Sequence, residues 1–338
     1  QFKSMNVLSL FSGCGGLDIG FQKSGFKIVY ANDINKHVKE TYEYNLNHEI
    51  EIKDIRLIDK SKLPDYDVLL AGIPCTPFSN AGNRKSTKDK DGNLFKQVID
   101  TINSKERKPK VVVFENVRGF LSSKDEKGEL MTVRFVKEMK EIGYNTTYKL
   151  LNSSNFGVPS NRFRVIIVSV LSSYPKYEFK FDLYKSVPKI TVGEVLKKPL
   201  PKDEIEEILK LSPQSLSIIN HIPPGGSWKN IPYELLPERM KKIRNNMKRY
   251  GSPNFYRRFN LNEVMGTVTA TSSPERSGIL HPLENRRYSV REIARFQSFE
   301  DNFKFLGDSL REKYKMIGNS VPPKLSIEIA KDIKSQLF

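Results

Sequence analysis

Val7-Leu8-Ser9-Leu10-Phe11-Ser12-Gly13-Cys14-Gly15-Gly16-Leu17-Asp18-Ile19-Gly20-Phe21 decides the fold. A short apolar run meets a glycine-rich turn, and an apolar, helix-like stretch follows. That order predicts a strand, a turn and the start of a helix, with glycines that let the backbone approach a bound ligand at the helix N-terminus. Alone, such a turn fits any nucleotide-type cofactor. A second strand is expected over residues 27–31, ending at Asn32-Asp33. An acid at the end of the second strand of such a unit holds ribose hydroxyls, and Asp33 also suits the N-cap of a helix over 34–45. Ile50-Glu51-Ile52-Lys53 then runs into Asp54-Ile55, again with an acid where a strand ends.

The alternation continues outward. Strands are expected at 67–71, 110–114, 144–151 and 164–169, with helices at 94–102 and 133–142. Strands alternating with helices predict an α/β fold with a doubly wound, mostly parallel sheet and ligands at the carboxyl ends of its strands. Gly13, Asp33, Asp54, Cys75 and Glu115 all fall at such ends, so one rim should collect them. From about 174 to 282 the alternation gives way to proline-rich, irregular sequence, read as a smaller second domain with helices at 202–211 and 237–250. Ser289, with Glu292 three residues on, reads as the cap of a helix to Gln297, and Pro322-Pro323 as the start of a terminal helix.

Composition narrows the partners. The 338 residues carry a formal net charge of +17 with 38% hydrophobic residues, a balance that points to a polyanion and first to nucleic acid. Arg239, Lys241, Lys242, Arg244, Lys248, Arg249, Arg257 and Arg258 share one window with Tyr250, Phe255 and Tyr256, a pattern that suits phosphate contact; the plainer reading is a solvated face. No apolar run approaches a membrane span, and no signal peptide is expected ahead of Met5. Two cysteines, Cys14 and Cys75, exclude a disulfide framework or a cysteine-rich metal site, and a reducing cytoplasm is expected. Cys75 lies between Pro74 and Pro77, which restrict the backbone around the thiol. A small buried residue is the plainer reading from that stretch alone.

In their order, these motifs resemble the DNA cytosine-5 methyltransferases of the bacterial restriction–modification type. The matching stretches are Phe11-Ser12-Gly13-Cys14-Gly15-Gly16, Pro74-Cys75, Glu115-Asn116-Val117, Gly157-Val158-Pro159-Ser160-Asn161-Arg162-Phe163-Arg164, Arg287-Tyr288-Ser289-Val290-Arg291-Glu292-Ile293-Ala294-Arg295 and Gly318-Asn319-Ser320-Val321-Pro322. They reach both ends of the chain and leave the middle uncovered. The resemblance implies an S-adenosylmethionine-dependent, Rossmann-like catalytic domain over 1–174 and a target-recognition domain over 175–285. A hinge segment would follow over 286–312, with 313–338 packing back on the catalytic domain. It makes Cys75 the nucleophile at cytosine C6, Glu115 the acid at N3 in a pocket that keeps it partly neutral, and Arg162 the charge stabiliser at O2, with Arg164 counted beside them among the catalytic residues.

For S-adenosylmethionine, the resemblance implies Phe11, Gly13 and Gly15 around the methionine and ribose, with Asp33 on the ribose hydroxyls. Asp54 would meet the adenine amino group, Ile34 and Ile55 its faces, and Pro74, Asn319 and Ser320 the neighbouring wall. No metal is implied. Double-stranded DNA is the implied partner, with the target base turned out of the stack. Ser79, Arg84 and Lys85, in a polar loop expected to close over the duplex, and Arg257, Arg258 and Thr267 are the expected DNA contacts. A monomer, paired in function with a cognate restriction endonuclease, is expected. Thr76 and Ser160 depart from the glutamines usual at both places.

Other readings fit less well. An amino-group methyltransferase would need a polar or aromatic flank around Pro223-Pro224, which Ile222 and Gly225 do not supply. An NAD-dependent dehydrogenase leaves Pro74-Cys75 and the basic domain unexplained. A tRNA methyltransferase shares the motifs, and a non-catalytic binder would not need Cys75, Glu115 and Arg162.

Overall fold

The computed structural model describes residues 5–74, 92–125, 127–175, 178–181, 186–250, 254–271, 273 and 277–338. In chain order its regular elements begin with β1 (Met5–Leu10), α1 (Gly16–Lys23), β2 (Phe26–Asp33), α2 (Lys39–Leu46), β3 (Glu51–Ile52), β4 (Val68–Ala71) and α3 (Gly92–Asn103). There follow β5 (Val111–Val117), α4 (Met131–Glu141), β6 (Tyr144–Asn152) and β7 (Phe163–Leu171). The rest is helical: α5 (Val192–Leu196), α6 (Pro213–Ile218), α7 (Glu238–Arg244), α8 (Met247–Tyr250), α9 (Val290–Phe296), α10 (Leu310–Asn319) and α11 (Pro323–Leu337).

The strands form one seven-stranded sheet in the order β3-β2-β1-β4-β5-β7-β6. The first five run parallel, whereas β7 is antiparallel to both β5 and β6. The α/β, mostly parallel reading therefore holds. Leu8, Leu10, Leu69, Val112, Phe114, Val165 and Ile167 join Val98 and Ile102 of α3 and Phe135 and Met139 of α4 in one core. Val7, Val68, Val111, Val113 and Val168, whose side chains alternate with these, are also fully buried, so helices cover both faces, as a parallel sheet requires.

The chain divides into two compact units. The first comprises 1–156, 163–187 and 320–338, and the second 157–162 and 188–319. Residues 157–162 and α10 thus group with the second unit, and the segment expected as a separate hinge over 286–312 falls inside it. In the first unit α11 lies along α1. The Ser326 hydroxyl donates to Gly16 O at 2.8 Å and Lys334 Nζ to Ser24 O at 3.1 Å. The contact is close because Gly20 has no side chain: a Cβ there would meet the Ser326 hydroxyl and stand 2.6 Å from the Ile327 nitrogen. Gly20→Ala is therefore expected to cost about 1–3 kcal/mol, as overpacking of a tight core does. Urea unfolding followed by circular dichroism checks it; an unchanged midpoint would show that the two helices can separate without loss.

The second unit is built on Trp228, Ile219, Ile231, Leu236, Met240, Tyr256 and Leu280. Arg244 lies over the Trp228 ring and donates to Trp228 O at 2.6 Å and Ile231 O at 2.9 Å. Two helix expectations need correction here. Residues 202–211 are irregular rather than helical. Their carboxylates bind distant cations, Glu204 to Arg291 at 2.7 Å and Glu207 to Lys313 at 2.8 Å, while Glu207 O accepts from Val290 N. Residues 237–250 are two short helices that break at Asn245-Asn246, not one. The Ser289–Glu292 capping box forms as expected.

Candidate active site

In the first unit the parallel strands end on one rim. After β1 the chain turns through Phe11, Gly13 and Gly15, all with positive φ (55°, 55° and 96°). The glycines take this region freely, and Phe11 takes it at a cost that the surrounding structure must hold. Asp33, at the end of β2, reaches across: its Oδ2 accepts from Gly13 N at 2.8 Å and its Oδ1 from Asn35 N at 2.8 Å. Burial raises the Asp33 pKa, and these N–H donors oppose the rise. Ile34, the next residue, is 67% exposed, an apolar surface with nothing packed over it among the described residues. Asp54 follows β3 and caps the turn at Ile55–Leu57; the Arg56 guanidinium grips its carboxylate and pulls its pKa down to about 2. Ile55 is buried, so its side chain belongs to the core. Ser320 sits against Gly16, where a Cβ would collide with its hydroxyl and with Val321 O.

Cys14, inside the turn, is fully buried and its thiol is pushed up to about 12 by desolvation. It is a packing residue, not a thiolate. Pro74 follows β4 and is exposed. Cys75, Ser79, Arg84 and Lys85 lie outside the described residues.

Glu115 lies within β5 rather than after it, 9% exposed. Because β7 runs antiparallel, Arg164 at its beginning pairs with Val117 and shares a sheet face with Glu115. Arg164 Nε stands 3.1 Å from Glu115 Oε1, with both side chains largely enclosed. The sequence did not anticipate this pairing, because the apolar run of β7 carries no sign of its direction.

Within the second unit Arg162 is 2% exposed, and its terminal nitrogens donate to Val268 O at 2.7 Å and Gly318 O at 2.9 Å. Neighbouring bonds stitch the same segments: Ser160 Oγ to Gly266 O at 2.7 Å, Asn161 N to Met265 O at 2.8 Å and Thr267 Oγ1 to Asn161 O at 2.8 Å. A serine at 160 reaches this carbonyl directly. Arg257 pairs with Glu263 and lies over the Phe259 ring at 4.4 Å. Arg258 corrects the phosphate-contact expectation. It is 2% exposed and donates to Ile219 O, His281 O, Glu284 O and Asn285 Oδ1, so its guanidinium ties loops together rather than facing solvent.

Among the described residues no cluster of three or more His, Cys, Asp or Glu could hold a metal, and no helix is long and apolar enough to cross a membrane.

A family model described as C-5 cytosine-specific DNA methylase matches residues 5–335. The type II methyltransferase M.NgoFVII of Neisseria gonorrhoeae is 33% identical over 341 residues, covering 97% of this chain and 86% of that relative. M.FnuDI of Fusobacterium nucleatum is 34% identical over 358 residues, covering 98% and 95%. The solved S. pombe Dnmt2 methyltransferase matches 99% of this chain and 100% of its own with a TM-score of 0.66 at 18% identity, a likeness of fold. The chain belongs to the C-5 cytosine-specific DNA methylases and is a DNA cytosine-5 methyltransferase of the type II restriction–modification kind.

Proposed function

We propose that this methyltransferase transfers the methyl group of S-adenosylmethionine to C5 of a cytosine turned out of duplex DNA, through a covalent bond between Cys75 and C6. The observation that carries the reading is the enclosed Glu115–Arg164 pair, 3.1 Å apart, on the rim that also bears Gly13 and Asp33. The turn suits the cofactor: Asp33 offers a carboxylate to ribose hydroxyls, the exposed Ile34 a surface for adenine, and Asp54 an ionised acceptor for its amino group. When bound there, S-adenosylmethionine supplies an electrophilic methyl group.

Cytosine C5 is a poor nucleophile, so the ring must first be activated. The Cys75 thiolate adds at C6, and electron density moves to N3 and O2. Glu115, acting as an acid, donates a proton to N3, which leaves a neutral enamine, and takes that proton back when the ring is restored. Arg162 was expected at O2, but its terminal nitrogens already bind two backbone carbonyls. Arg164, beside Glu115, suits the O2 position better. After C5 is methylated its proton leaves to a base, with water a sufficient acceptor, and the C6–S bond breaks to restore the aromatic ring.

In this reading the protein acts as a monomer on double-stranded DNA and shields host sites from a cognate restriction endonuclease. Incubation of duplex DNA with the protein and S-adenosylmethionine, followed by bisulfite sequencing, tests it. The expected result is 5-methylcytosine at one short sequence; methyl on an exocyclic nitrogen would overturn the mechanism.

A further inference from the structure

Asp18 is a carboxylate in a place where a carboxylate is costly. It lies in the first turn of α1, 1% exposed, and burial pushes its pKa up to about 6. Both oxygens are taken: Ser9 Oγ donates to Oδ1 at 2.8 Å, and the Tyr42 hydroxyl donates to Oδ2. Ser9 Oγ also lies 2.7 Å from Ser12 Oγ. A hydroxyl has one proton: that of Ser9 goes to Asp18, and that of Ser12 is shared between Ser9 Oγ and the Ser9 carbonyl, 3.2 Å away. Ser12 Oγ in turn accepts from Asn32 N at 3.3 Å, and Ser12 N donates to Asn32 O at 3.0 Å. Through the side chains donation therefore runs from Asn32 N at the end of β2 through Ser12 and Ser9 to Asp18, while the backbone bond from Ser12 N to Asn32 O pins the turn to β2 from the other side. Tyr42 supports the turn a second time, since a Cβ at Gly15 would stand 3.1 Å from its ring. All these residues belong to the first unit, and the chemistry above uses none of them.

We propose that Asp18 is a positioning residue for the cofactor, acting through Ser9 and Ser12 to hold the Phe11–Gly13 turn against Asn32 and Asp33. The inference rests on the reading that S-adenosylmethionine binds at this turn. A turn fixed beforehand spares the ligand the cost of ordering it, and a chain of like-directed hydrogen bonds strengthens each member. Cutting the chain at Asp18 or at Ser9 should have the same effect.

Calorimetric titration of S-adenosylmethionine into the full chain tests this with Asp18→Asn, Ser9→Ala and the double variant. Each single change is expected to weaken binding at least fivefold, and the double variant to be no weaker than the worse single one. The KM for cofactor should rise, while kcat at saturating cofactor and the KM for DNA stay within twofold. Wild-type binding with both single variants unaffected would overturn this inference alone, as would losses that multiply in the double variant. A wild-type protein that binds no S-adenosylmethionine would overturn the cofactor reading and this inference with it. If Asp18→Asn does not fold, Ser9→Ala decides: fivefold weaker binding supports the chain, and unchanged binding overturns it.

Discussion

Cys75→Ser is expected to lower turnover by about 10^3-fold or more while leaving S-adenosylmethionine affinity within about twofold. The whole reaction waits on addition at C6, because an unactivated C5 does not attack a methyl sulfonium. A serine hydroxyl at neutral pH is almost wholly protonated and is a far weaker nucleophile than a thiolate. Cys75 is assigned this role by the Pro74-Cys75 motif, whose Pro74 follows β4 on the rim that bears Gly13 and Asp33. The alternative thiol is poorly suited: Cys14 is fully buried and pushed up to about 12. A duplex carrying 5-fluorocytosine at the target makes the test direct, since C5 then has no proton to lose and the adduct should persist. Mass mapping is expected to find that adduct on the peptide containing Cys75 and to find none with Cys75→Ser. Retained turnover, or an adduct on Cys14, would remove Cys75 as nucleophile.

The sheet was legible because its strands are nearly continuous apolar runs, such as Val68-Leu69-Leu70-Ala71 and Val111-Val112-Val113-Phe114, with turn residues at their ends. Strand ends in a parallel sheet share a rim, so placing the strands placed Gly13 and Asp33 near each other. Direction was not legible. The β7 run is buried on both faces and reads the same either way, yet its reversal is what brings Arg164 beside Glu115. Burial of charge was equally hidden. Arg258 stands in the same basic window as exposed residues, and only the fold reveals the four acceptors that claim it. Asp18 left one trace, an acid between Leu17 and Ile19 on a helix that the glycine turn presses inward. Residues 202–211 misled because glutamates at helical spacing serve equally well as partners for cations far along the chain.

Glu115→Gln is expected to lower kcat by about 10^2- to 10^4-fold, the usual worth of a positioned acid or base, with a smaller effect on the KM for DNA. The amide keeps the shape of the side chain but has no carboxyl proton to give N3 and no carboxylate for the Arg164 guanidinium, which stands 3.1 Å from Glu115. Arg164→Ala should approach the same loss from the other side, because the carboxylate then lacks its partner in an enclosed site. Arg164→Lys should restore only part of it, since an ammonium is a point charge where the guanidinium offers a rigid fork. If the two residues act as one unit, the double variant Glu115→Gln/Arg164→Ala will be far less impaired than the product of the single effects. Arg162→Ala separates structure from chemistry. Its terminal nitrogens hold Val268 O and Gly318 O within the second unit, so it should lower the unfolding midpoint more than Arg164→Ala does. Steady-state kinetics and urea unfolding of the set decide between the arginines. Independent losses in the Glu115–Arg164 cycle would show that the ion pair orients neither partner for catalysis.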